Sequence, residues 1–245
     1  MKRNIKLTVE YDGTNYYGWQ IQPSVPTIQN ELKKAIFNIT KENVTIIGSG
    51  RTDTGVHAKN QVAHFHTQSS IKVADFAKAI NSQLPEDIVV KQSQLAEMDF
   101  HAQYQAKAKA YSYTIFVGEH RPAINRNYVY WIRRNLNVSL MREAASYLIG
   151  THDFSSFEAA KSPRKSSIRT INKVDIQKEN CYITTLLEAN GFLYKMVRNI
   201  MGTLIEVGYE KYSPTKINEI LKAKNRDFAG VTAPSHGLCL EYVLY

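Results

Sequence analysis

In the run Gly48-Ser49-Gly50-Arg51-Thr52-Asp53-Thr54-Gly55-Val56-His57-Ala58, a carboxylate and a guanidinium stand two residues apart among three glycines. A carboxylate can serve as nucleophile or as general base, and a neighbouring guanidinium favours the ionised form that either role requires. The glycines give the backbone freedom to present both groups. Spacing excludes two phosphate-binding motifs. A Walker loop needs Lys directly after its last Gly, where Val56 stands, and the dinucleotide fingerprint needs a third Gly where Asp53 stands. The plainer alternative is a tight turn in which Asp53 caps its own backbone two residues on. A third reading takes His57, His64 and His66 with Asp53 as a metal site, since two histidines on one strand face can share a zinc ion. A third protein ligand is not evident in the sequence.

The elements around this run follow from its flanks. Apolar Val44 to Ile47 leads in and alternating Gln61 to Thr67 leads out, so the run reads as a loop between two strands. On the second strand Val62, His64 and His66 share one face, and Ala63, Phe65 and Thr67 the other. Upstream, Ile5, Leu7, Val9 and Tyr11 alternate as a strand that ends at Asp12-Gly13. The aromatic cluster Tyr16-Tyr17-Gly18-Trp19-Gln20 follows in a loop, suited either to core packing or to stacking on unpaired bases. Thr27 is placed to cap a helix whose stripe is Ile28, Leu32, Ala35, Ile36 and Ile39. A second helix carries Val73, Phe76, Ala77, Ile80 and Leu84, and Ile88 to Leu95 makes a further strand.

The first half therefore reads strand, helix, strand, strand, helix, strand, the ferredoxin-like order. The second half repeats it. A strand over Tyr111 to Val117 is followed by a helix over Leu140 to Ile149 and strands near Ile171 to Ile176 and Ile183 to Ala189. Leu193, Met196, Val197, Ile200, Met201, Leu204 and Ile205 then form one broad apolar helical face with Arg198 on its flank. A short helix opens at Ser213-Pro214, and Leu238, Leu240, Tyr242 and Leu244 alternate in the last strand. The expected fold is α+β: two ferredoxin-like halves, 1–104 with the Asp53 loop and 105–245. Together they are expected to form a continuous, mostly antiparallel sheet with helices on one face and a cleft between the halves.

The chain has 245 residues and a formal charge of +9, which points to a polyanion as partner. No basic amphipathic helix flanked by a long apolar run suggests a membrane surface instead. Lys161, Arg164, Lys165 and Arg169 lie in a Ser- and Pro-containing stretch. Arg121, Arg126, Arg133 and Arg134 interleave with Tyr128, Tyr130 and Trp131. Both groups are candidates for phosphate contacts. Cys181 and Cys239 show no metal spacing and read as free, reduced core residues. With no signal-peptide pattern and no bilayer-length apolar stretch, a soluble cytoplasmic protein is expected.

Gly50-Arg51-Thr52-Asp53-Thr54-Gly55-Val56-His57-Ala58 resembles the signature of the TruA-type tRNA pseudouridine synthases, with Thr54 where Ala is usual. Four more blocks match in order. They are Glu10-Tyr11-Asp12-Gly13 with Tyr17-Gly18-Trp19-Gln20, Phe100-His101-Ala102 with Tyr111-Ser112-Tyr113, Met196-Val197-Arg198-Asn199-Ile200 with Gly202, and Gly237-Leu238.

The resemblance implies a homodimer that acts on tRNA, not on DNA or a membrane, and isomerises uridine in the anticodon stem-loop, just 3′ of the anticodon. It implies Asp53 as the catalytic residue and Arg51 or Arg198 as its ion-pair partner. Tyr111 would receive the extruded base and Leu238 would close its other side. The reaction involves no redox change, so no cofactor is expected, and without an evident third protein ligand no metal is expected either. Two other functions fit parts of the pattern: a tRNA-binding folding helper with little or no catalysis, and a metal-dependent hydrolase built on the three histidines.

Overall fold

The computed structural model describes residues 1–159 and 166–245. In the first stretch β1 (Arg3–Tyr11) is followed by α1 (Ile28–Thr40), β2 (Ile47–Gly48), β3 (His57–Thr67), α2 (Phe76–Asn81) and β4 (Ile88–Ala96). Then come β5 (Ala108–Val117), β6 (Tyr130–Ile132), α3 (Val138–Ser146), β7 (Gly150–Asp153), β8 (Ile168–Glu179) and β9 (Tyr182–Ala189). The described elements end with α4 (Met196–Gly208), α5 (Lys216–Ala223) and β10 (Leu238–Leu244). The chain is α+β with mostly antiparallel strands. It divides into two compact units, Met1–Lys107 with Cys239–Tyr245, and Ala108–Leu238.

In the first unit β1 lies between β3 and β4, antiparallel to both, and β2 pairs antiparallel with β3. This is the ferredoxin-like strand order. Ile5, Leu7 and Val9 are wholly buried, as their alternation predicts. Phe65 of β3 meets Phe76 of α2 edge to face at 5.7 Å, which ties the sheet to a helix. α1 buries Ile28, Leu32, Ala35 and Ile36 and ends at Lys41, whose left-handed φ of 60° lets its N–H reach the Phe37 carbonyl. Thr27 takes the N-cap position, but its hydroxyl makes no capping bond. β10 joins this unit by pairing in parallel with the start of β3, Cys239 opposite His57 and Leu240 opposite Ala58.

In the second unit β5, β9, β8 and β7 pair antiparallel in that order, and β6 runs parallel to β5. α3 packs on α4 and β8. Asn137 caps α3 by accepting the Leu140 N–H at 3.3 Å. On α4 the buried set includes Met196, Val197, Ile200, Met201 and Leu204, the face expected from periodicity.

Three expectations need correction. The strand expected over Val44 to Ile47 is reduced to Ile47–Gly48, because Gln29 Nε2 takes the Ile46 carbonyl at 2.8 Å in place of a ladder partner. Cys181 is exposed in the two-residue turn between β8 and β9, where Asn180 adopts φ 52°, so it is not a core residue. Cys239 is half-buried on β10, and burial pushes its thiol up to about 12. The candidate phosphate ligands Lys161, Arg164 and Lys165 lie outside the described residues. Among the described residues no helix is long and apolar enough to cross a membrane.

Candidate active site

Asp53 sits half-buried in the loop between β2 and β3, and the segment from Asp12 to Gln20 clamps that loop backbone to backbone. The Trp19 N–H donates to the Thr52 carbonyl at 3.1 Å, and the Gly55 N–H to the Tyr16 carbonyl at 3.2 Å. Val56 N–H closes the turn on the Asp53 carbonyl at 3.1 Å, with Gly55 at φ 74°. A turn is thus present, but the Gly55 N–H that an Asp53 cap would take goes to the Tyr16 carbonyl.

Glycines make this approach possible. A Cβ on Gly13 would stand 2.1 Å from the Val56 carbonyl oxygen. One on Gly18, which has φ +86°, would stand 2.4 Å from that of Thr52. Gly48 admits the buried Trp19 indole in the same way, with a Cβ 2.6 Å from its ring. Side chains complete the clamp. The Tyr11 and Thr52 hydroxyls bond at 2.8 Å, and burial pushes the Tyr11 phenol well above its ordinary value. Ser49 donates to Gln61 Oε1 at 2.6 Å, and Gln61 returns a bond to the Gly50 carbonyl at 3.1 Å. Arg51 is exposed on the same loop.

The histidines around this loop serve its backbone. His57 Nδ1 accepts the Gly13 N–H at 3.0 Å and also lies 3.1 Å from Asp12 Oδ1. Asp12 also takes the Thr14 N–H and hydroxyl. His64 Nδ1 accepts the Ala102 N–H at 3.1 Å, and burial, with the neighbouring His101 and His66, pulls it down to about 4. Among the described residues no three His, Cys, Asp or Glu side chains are placed to hold a metal ion. The Nδ1 atoms of His57 and His64 are engaged with backbone N–H groups.

In the second unit Tyr111 is buried on β5, with its ring edge to face against Phe192 at 5.3 Å. Two residues on, the buried Tyr113 hydroxyl donates to the Pro234 carbonyl at 2.9 Å. Arg198 lies half-buried on the first turn of α4 and its Nε donates to the Ala233 carbonyl at 2.8 Å. The Ala233 N–H returns a bond to the Arg198 carbonyl at 3.1 Å.

The segment from Arg226 to Ala233 lies as a strap on α4. It is tied by Asn199, whose Oδ1 accepts from Arg226 at 3.1 Å and Thr232 at 2.6 Å while its Nδ2 donates to the Phe157 carbonyl at 2.7 Å. Gly202 fits beneath the strap, where a Cβ would stand 1.6 Å from the Val231 carbonyl oxygen. Gly237 packs against the Tyr113 ring, beside buried Leu238. Motif matching found Arg198 and Gly202, but not Arg226 or Thr232, whose importance lies in their hydrogen bonds to a distant helix.

Of the arginines among aromatics, Arg121, Arg126, Arg133 and Arg134 are all exposed, and Arg134 lies over the Tyr209 ring at 5.3 Å. Arg169 is half-buried and holds the Ser166 and Ile168 carbonyls.

The profile of a family described as tRNA pseudouridine synthase matches residues 7–105 and 144–245, and the chain belongs to that family. Relatives match over nearly its full length. It is 49% identical to tRNA pseudouridine synthase A 2 of Clostridium perfringens over 243 residues, 99% of this chain and 100% of the relative. The same identity and coverage hold for tRNA pseudouridine synthase A of Clostridium acetobutylicum and of a Thermoanaerobacter species.

Proposed function

We propose that this chain is an isomerase that converts uridine to pseudouridine in tRNA, with Asp53 as its catalytic residue. Full-length similarity to tRNA pseudouridine synthases supports the reaction. The observation that carries the role of Asp53 is the clamp on its loop, in which Gly13 and Gly18 allow two backbone segments to approach and fix where the carboxylate stands. A catalytic group held to within a fraction of an ångström is what such chemistry needs.

The reaction breaks the bond from ribose C1′ to uracil N1, turns the uracil in place and reattaches it through C5. N1 gains a proton and C5 loses one, so atoms balance and no electrons are exchanged. Asp53 serves as nucleophile or as the base that removes a sugar proton. Arg51 and Arg198 are the candidates to keep it ionised, Tyr111 is the flat group that receives the extruded base, and Leu238 closes the other side. The resemblance further supports uridines just 3′ of the anticodon as targets, a homodimer as the active form and the cytoplasm as its place.

Mapping pseudouridine chemically in tRNA incubated with wild type and Asp53→Asn tests this reading. Modification is expected with the wild type and loss of at least about 1000-fold in rate with the variant, tRNA binding staying near wild type. Modification that survives the substitution would remove Asp53 from the mechanism. Full rescue of a cellular phenotype by Asp53→Asn would favour the folding-helper reading.

A further inference from the structure

The segment from Glu97 to Lys107, between β4 and β5, is held at many points yet ends in an exposed ring. Asn4, wholly buried, donates from Nδ2 to the Glu97 carbonyl at 2.9 Å and to the Phe100 carbonyl at 3.0 Å. Ala102 donates its N–H to His64 and accepts the Tyr245 hydroxyl at 2.7 Å. Lys107 N–H reaches the Leu244 carbonyl at 2.8 Å. Phe100 packs against Tyr245 at 5.1 Å, and the Lys6 ammonium lies over both rings.

On this base stands a ladder of rings. His101 meets buried His64 at 5.2 Å, and its Nδ1 accepts the N–H groups of Gln103 and Tyr104, each at 3.2 Å. Tyr104 stacks on His101 with centroids 4.1 Å apart and planes within 19°. Tyr104 is 80% exposed. A tyrosine left so open contributes little to the core, whereas one already stacked from behind presents its other face at low entropic cost.

We propose that Tyr104 is a stacking platform for an unpaired nucleobase of the tRNA other than the target uridine. Base-on-aromatic stacking on a basic protein is the general mode of holding single-stranded RNA. Lys6 and the exposed Lys107 supply positive charge on the same segment's surroundings, within a chain of net charge +9. The two neighbouring histidines, which a metal reading had drawn together with Asp53, thereby find a different use. His64 fixes the segment and His66 packs edge-on against His64. This proposal rests on the reading that tRNA is the substrate.

The test measures binding and modification of an in vitro tRNA transcript by wild type, Tyr104→Ala, Tyr104→Phe and Tyr104→Trp. Tyr104→Ala is expected to weaken binding and raise KM about tenfold with kcat unchanged. Phe and Trp should hold near wild-type values. Because stacking releases no counterions, the slope of log affinity against log salt should be the same in all four proteins. The thermal midpoint and the oligomeric state should also stay constant.

Wild-type affinity in Tyr104→Ala, with modification proceeding normally, would overturn the platform and leave the substrate reading intact. So would an equal loss in the Ala and Trp variants, a loss that follows a lowered thermal midpoint, or a change of oligomeric state. Failure of the wild type itself to bind or modify the transcript would overturn both readings.

Discussion

The loop of Asp53 and the strap over α4 are both pinned against another part of their own unit, but with a different balance of main-chain and side-chain contacts. The Asp53 loop is held where side chains are missing, at Gly13 and Gly18, so that main chain meets main chain. The strap is held mainly where a side chain is present, Asn199, which satisfies Arg226, Thr232 and the Phe157 carbonyl at once. Both regions are therefore sensitive to an added methyl group, the strap at Gly202, but the strap depends in addition on the polar atoms of a single side chain.

Substitutions of both kinds test this contrast. The largest effect is expected for Gly13→Ala, whose Cβ must displace the Val56 carbonyl 2.1 Å away. Displacing a catalytic loop by about 1 Å costs on the order of 100-fold in rate, so pseudouridine formation should fall at least that far, with a lower thermal midpoint. Wild-type kinetics in this variant would mean that the close approach does not set the position of Asp53.

Asn199→Ala should come next. It strands two donors and a carbonyl inside the second unit, and chemical denaturation should report a loss of about 2–4 kcal/mol. A loss below about 1 kcal/mol would show that the strap is held by other contacts. The smallest effect is expected where a polar contact is removed from the glycine-shaped region. Tyr11→Phe deletes the hydroxyl bond to Thr52 and should cost about 1 kcal/mol by the same measurement, with modification retained. A cost matching that of Asn199→Ala would erase the contrast.

Much of this arrangement could be read from the sequence where the physics is local. Alternation placed β1 and the last strand, and helical spacing placed the buried face of α4, because each depends on neighbours within a few residues. Pattern failed where a partner far along the chain decides. Val44 to Ile46 has strand composition but loses its ladder to Gln29, and Cys181 follows an alternating segment yet falls in a turn set by Asn180. β6 and β7 are too short, and β7 too polar, to alternate visibly.

Asp53, Tyr111, Arg198 and Leu238 entered the candidate site by motif resemblance. The strap residues Arg226 and Thr232 did not, because nothing near them in sequence reveals Asn199 as their partner. Tyr104 likewise became conspicuous only once the ring behind it and the openness in front of it were known.

The pairing of β10 with β3 bears on how the protein comes into being. The first unit is interrupted in sequence by the whole of the second: directly after the Asp53 loop, Ala58 pairs with Tyr11 of β1, while His57 and Ala58 also pair with Cys239 and Leu240 of β10. Lys59 and Asn60 add ties to Glu241 at 2.9 and 2.7 Å. During synthesis these partners are made only after the whole of the second unit, so the β10 side of this anchor cannot close until β10 has been translated. A truncated or stalled product therefore carries the Asp53 sequence without the strand that secures it, and catalytic competence is deferred until translation has passed β10.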